Sequence, residues 1–108
     1  MEPLEAIKSL KEWRSLIEII KTELAKHFEE MYVYGSVLTG RLTGSSDIDI
    51  ILVCANCDVV HAKIMAYELI EQKIGHENSL LFDVTVVQQG NKNKPPYLWL
   101  LKGAQRVF

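Results

Sequence analysis

Cysteine is scarce in this chain, with two residues in 108. Cys54 and Cys57 are too few and too close together to be a disulfide framework, which excludes the small secreted scaffolds held by several bridges. They read as two reduced thiols at a strand end. Three prolines and six glycines exclude a collagen-like or low-complexity chain. No apolar run approaches the ~18 residues of a membrane span. The longest, residues 48–55, is broken by Asp49 and suits a buried strand. Neither charge sign dominates: twelve basic and fourteen acidic residues give a net charge of −2. That balance argues against a protein that grips nucleic acid by charge, so no stable nucleic-acid binding is expected.

What remains is an ordinary globular composition, 48% hydrophobic and 24% charged. A single domain over residues 1–108 is expected, burying roughly 65% of its unfolded surface. The opening MEPLEAIKSLKEW is acidic and amphipathic, unlike a secretory signal, so the expected compartment is the cytoplasm.

Along the chain, Leu4, Ile7, Leu10, Trp13, Ile17, Ile20, Leu24 and Phe28 recur at helical steps, predicting a helix over 3–28. Residues 31–35 read as a first strand ended by Gly35. The stretch 36–46 has two glycines and five Ser/Thr and reads as a loop, with room for one short helical turn. A second strand is expected at 47–54; it becomes wholly apolar, as a strand covered on both faces would. Asp58 should cap a helix over 59–74, with Gly75 as its stop. Val60, Ile64, Tyr67, Ile70 and Ile74 supply its apolar period. A third strand follows at 80–88, then a polar turn, a short helix at 96–102 and a short strand at 106–108. This order implies an α/β fold, a small mixed β-sheet with helices packed against it.

The chemistry concentrates in Gly35-Ser36, ten further residues, then Asp47-Ile48-Asp49. Strand periodicity puts Asp47 and Asp49 on one face and Ile48 and Ile50 on the other. Two carboxylates so close repel one another unless a cation neutralises them, and hard oxygen ligands select Mg²⁺ or Mn²⁺. Asp83 is a third acid, set in the otherwise apolar LLFDVTVV, where an unpaired carboxylate is costly to bury. If the second and third strands are neighbours, three acids converge and could hold two metals ~3.5–4 Å apart, as phosphoryl and nucleotidyl transfer require. A glycine directly after a strand lets backbone approach a ligand closely, and the Ser36 hydroxyl and backbone N–H groups suit a triphosphate. Alone, the paired acids or the Gly-Ser would be unremarkable surface features; their combination with Ser46 and Asp83 is what carries weight.

Taken together, YGSVLTGRLTGSSDIDIILV resembles the signature of the polymerase-beta-type nucleotidyltransferase superfamily, and the length resembles its minimal branch, often called MNT. The resemblance spans Tyr32 to the end of the chain, including Leu100-Leu101-Lys102-Gly103 and Val107-Phe108. It implies that Gly35, Ser36 and Ser46 hold the nucleotide, ATP or another NTP. It implies that Asp47 and Asp49 bind both metals and that Asp83 binds one of them and helps deprotonate the attacking hydroxyl. Many minimal members carry Arg after the Gly-Ser, where Val37 stands here. Minimal members commonly pair with a HEPN-type ribonuclease toxin and act as its antitoxin, some by transferring AMP from ATP to a toxin tyrosine. Two functions follow as expectations: an enzyme acting on a protein acceptor, or a catalytically silent antitoxin that neutralises its partner by contact.

Other signals compete less well. Cys54-Ala55-Asn56-Cys57 with His61 has too few local ligands for a closed zinc site. Lys92 and Lys94 read as solvated loop residues. In Tyr97-Leu98-Trp99-Leu100-Leu101 five consecutive apolar residues cannot all face one small core, so part of the segment should lie on the surface and contact a second copy or another protein.

Overall fold

The computed structural model describes residues 12–40 and 47–108. Helix α1 covers Trp13–Leu24, and strand β1 covers Glu30–Tyr34. A single helical turn, α2, spans Ser36–Thr39, and strand β2 spans Ile48–Cys54. Helix α3 runs Val59–Ile74, followed by the one-turn α4 at His76–Ser79 and strand β3 at Phe82–Gln88. Helix α5, Tyr97–Lys102, and the two-residue β4, Gln105–Arg106, complete the chain. The expected helix is observed from Trp13 but ends at Leu24, short of residue 28, where turns lead into β1; its first part, with Leu4, Ile7 and Leu10, lies outside the described residues.

The sheet is mixed, in the order β3-β2-β1-β4. β1 pairs antiparallel with both β2 and β4, and β2 pairs parallel with β3. Alternation sorts the strand residues cleanly. Met31, Val33, Ile48, Ile50, Leu52, Cys54, Val84 and Val86 point to one face, where Trp13, Ile17, Ile20 and Leu24 of α1 and Ala62, Ala66 and Ile70 of α3 close the core. Ile51, Val53 and Val87 point to the other, under Tyr97, Leu100 and Leu101 of α5. β2 is therefore apolar over most of its length because both faces are covered.

Local signals explain the boundaries. The Asp58 carboxylate accepts the N–H groups of Val60 and His61 at 3.0 and 3.3 Å, capping α3 as expected. Gly75 stops that helix at φ +87°. Three expectations are corrected. The buried stripe of α3 is Ala62, Ala66 and Ile70, whereas Val60 and Ile64 are 67% and 52% exposed. The two alanines let the helix axis lie close to the sheet, which leaves the bulkier residues outside the contact. β3 starts at Phe82, not at residue 80, because α4 carries the backbone as far as Leu80, whose N–H still donates to His76 O at 3.2 Å. Finally, Cys54 and Cys57 are joined in a disulfide rather than free. β2 ends at Cys54, and the turn through Ala55 and Asn56 returns the chain to a Cα–Cα distance of 5.9 Å, within disulfide reach.

Candidate active site

The end of the second sheet face beyond the cluster under α5 carries the acids. In the β2–β3 register Asp49 lies directly beside Asp83, and in the β1–β2 register Tyr34 lies beside Asp49. One row across three strands thus reads Tyr34, Asp49, Asp83. Asp47 stands one step before β2 and is exposed. The neighbourhood of strands two and three, conditional in the sequence, is met, and parallel pairing aligns the two acids without offset.

Burial and neighbouring charge shift the ionisation of Asp47 and Asp49. Burial first, then the negative charges of Asp83 and Asp47, push the Asp49 carboxyl from 3.8 up to about 6. Burial and then the Asp83 charge also raise Asp47. Tyr34 is raised chiefly by burial and further by Asp49 and Asp83, partly offset by its hydrogen bond with Thr85. Thr85 belongs to the next row, beside Ile51, so the Tyr34 ring crosses the sheet between the acids and the apolar cluster under α5.

Gly35 sits at φ +86° and ψ −154°, a region that only glycine occupies readily. A Cβ built there would overlap Asp49 Oδ2 and lie 3.4 Å from Asp49 Cγ. The strand-to-turn backbone is thus folded onto the carboxylate, with no space for a side chain between them. Ser36 opens the turn α2, whose first bond runs from the Leu38 N–H to the Gly35 carbonyl at 3.1 Å. Val37 is 4% exposed and packs into the core. The position directly after the Gly-Ser pair thus serves packing here. Ser46 lies outside the described residues.

Among the described residues no three His, Cys, Asp or Glu side chains form a ready-made ion cage. The donor set nonetheless fits a divalent cation. It is all carboxylate oxygen, and the negative charge of Asp83 raises the proton affinity of Asp47 and Asp49, the repulsion a cation relieves.

Two features were not foreseen. Tyr34 belongs to the acid row; its alternation with Val33 is visible in the sequence, but only the register places it beside Asp49. Lys92 is not a solvated loop residue. Its Nζ donates to Glu30 Oε2 at 2.7 Å, and the two side chains are largely buried. Burial pushes the Glu30 carboxyl up, but bonds from Lys92 and Tyr32 outweigh it and hold the group below its ordinary value. This pair anchors the loop after β3 at the opposite end of the sheet from Asp49.

A profile for Polymerase beta, Nucleotidyltransferase matches residues 14–100. A crystal structure of a Sulfolobus solfataricus protein, provisionally described as a nucleotidyltransferase, superposes with a TM-score of 0.60 at 24% identity. The match covers 95% of this chain and 86% of that one, and it supports the fold. No curated protein matches. The profile spans most of the chain and contains the Gly-Ser turn and all three acids, so the chain belongs to the polymerase-beta nucleotidyltransferase family.

Proposed function

We propose that this protein transfers a nucleotidyl group, AMP from ATP, to a hydroxyl on a partner protein, and that the partner is a HEPN-type toxin neutralised by the modification. The observation that carries the transfer reading is the row Asp49–Asp83 with the Gly35 backbone folded onto Asp49. Acids brought together at the cost of mutual repulsion need a positively charged ligand, and backbone pressed against them suits a phosphate chain bound beside that ligand.

In this reading Asp47, Asp49 and Asp83 hold Mg²⁺ or Mn²⁺. When bound, the cation supplies neutralising charge for the triphosphate and for the leaving pyrophosphate. Gly35 gives the phosphates access to the acid row, and Ser36 and Ser46 bind phosphate oxygens. The acceptor oxygen forms a bond to the α-phosphorus, the bond between the α- and β-phosphates breaks, and Asp83 takes the hydroxyl proton. Asp83 is exposed, so an acceptor can reach it.

The protein-acceptor reading rests on the exposure of two of the acids and of the helix that follows β3. Among the described residues, Asp47 and Asp83 are exposed and Asp49 is half-buried. The neighbouring α5 presents Trp99 at 64% exposure, and none of its residues is fully buried. A partner docking on that helix would meet the acid row and complete the site.

The experiment is incubation with ATP labelled at the α-phosphate, Mg²⁺ and the product of the adjacent gene. Label should pass to the partner. Asp83→Asn should cut labelling by about two orders of magnitude or more while ATP still binds. Trp99→Glu should reduce labelling and leave ATP affinity unchanged. Stable complex formation without label transfer would favour neutralisation by contact instead.

A further inference from the structure

At the end of β2 remote from Asp49, Cys54 and Cys57 form a pair that nucleotidyl transfer does not use. Their surroundings are unequal. Cys54 is 3% exposed and belongs to the core, beside Ile50 and Leu52. Cys57 is only partly buried and lies in the turn that leads into the 16-residue helix α3. Gln88 Nε2 donates to the Cys57 carbonyl at 2.9 Å, holding this turn against the end of β3. Both cysteines are thus fixed by neighbouring structure on either side of a two-residue turn.

A structural staple is a poor account of this bridge. Cross-linking residues three apart closes a very short loop and removes little freedom from the unfolded chain. The core around Cys54 is already closed by Ile50, Leu52, Ala62 and Ala66. A metal site is a poor account as well, because no third ligand joins the two sulfurs among the described residues. The arrangement instead has one partly exposed cysteine and one buried cysteine, at a Cα–Cα distance within disulfide reach.

We propose that Cys54–Cys57 is a reversible thiol–disulfide exchange site whose reaction partners are small thiols of the glutathione class. The thiolate of the small thiol attacks Cys57 Sγ, the Cys54–Cys57 bond breaks, and Cys54 leaves as a thiolate that takes up a proton. A second small thiol attacks the mixed disulfide at its own sulfur and releases Cys57. The pair gains two electrons and two protons, and the small thiol is oxidised to its disulfide. In the oxidising direction Cys57 is captured first and Cys54 resolves it. This assignment is independent of the nucleotidyl-transfer reading.

The test uses the whole chain in buffers that span the ratio of reduced to oxidised glutathione, with an alkylating quench and intact mass. Both cysteines should pass together between bonded and doubly alkylated forms in the folded protein, and the change should reverse. In Cys54→Ala, Cys57 should trap one glutathione. In Cys57→Ser, Cys54 should stay unmodified until denaturant is added, at least tenfold slower to alkylate than Cys57 in the first variant. Circular dichroism confirms that each variant is folded. Two free thiols even in fully oxidised glutathione would overturn the proposal. So would a bridge that opens only when the protein unfolds, or equal alkylation rates for the two cysteines.

Discussion

The two faces of the sheet follow different rules. The face under α1 and α3 is apolar from end to end: Met31, Val33, Ile48, Ile50, Leu52, Val84 and Val86 are all buried. The opposite face changes along its length. Where α5 covers it, Ile51, Val53 and Val87 make a second small core, bordered by the Glu30–Lys92 pair. Where α5 does not reach, the same strands carry Asp49 and Asp83. Strand alternation lets β2 serve both purposes at once, since Ile48 and Ile50 secure the fold while Asp49 between them faces the site. Among the described residues, the site lies on the part of this face beyond the cluster under α5.

The largest expected effect separates the two faces of β2. Asp47→Asn should abolish nucleotide-dependent Mg²⁺ binding measured by calorimetry and leave the melting temperature within a few degrees. Leu52→Ala, fully buried three residues beyond Asp49 on the other face, should cost about 3 kcal/mol in denaturant unfolding. It should preserve nucleotide affinity in the fraction that remains folded. If Asp47→Asn unfolded the protein, or Leu52→Ala abolished affinity in a folded sample, the division between faces would fail.

A smaller effect tests the turn that joins them. Gly35→Ala places a side chain where φ is +86° and where Asp49 Oδ2 already lies. The backbone strain should cost about 1–3 kcal/mol. The displaced carboxylate should weaken Mg²⁺–ATP binding about tenfold or more. Gly40→Ala is the control: φ is +73° there, but among the described residues nothing lies within 4 Å of the added carbon. It should lower stability without that loss of affinity.

Much of this division was legible in the sequence. Period two fixed which residues of DIDIILVC share a face, and the core helix residues Trp13, Ile17, Ile20 and Leu24 followed from steps of three and four. The acids stood out because carboxylates in apolar strands need a reason. The residues that escaped depend on pairings between distant segments. Tyr34 joins the site only through its register with Asp49, and Lys92 finds Glu30 across 62 residues of sequence. In α3 the apolar period pointed to Val60 and Ile64 because large side chains dominate such a reading. The packing instead used Ala62 and Ala66, whose small size matters only against a nearby sheet.

The smallest expected effect is the pH dependence of the ion-free protein, and its sign is opposite to that of a paired carboxylate. Asp49 titrates near about 6 when folded, above its ordinary 3.8, because burial and the charges of Asp83 and Asp47 disfavour its ionised form. The folded state therefore holds a proton that the unfolded state has already lost. That contribution to stability is complete below pH 4 and disappears as pH rises through about 6. Glu30 works the other way, since its carboxyl is held below the ordinary value; its contribution is already complete by pH 5. Between pH 5 and 8, in EDTA, unfolding free energy should fall by on the order of 1 kcal/mol from the Asp49 source, a value kept small by solvent around the exposed Asp47 and Asp83. Asp49→Asn should flatten that slope and be the more stable protein at pH 8. Added Mg²⁺ with ATP should act in the reverse sense, because proton and cation compete for the same oxygens: the rise in melting temperature should be clear at pH 7.5 and nearly absent at pH 5. An unchanged slope in Asp49→Asn would place the titrating group elsewhere and detach the acid row from the pH response.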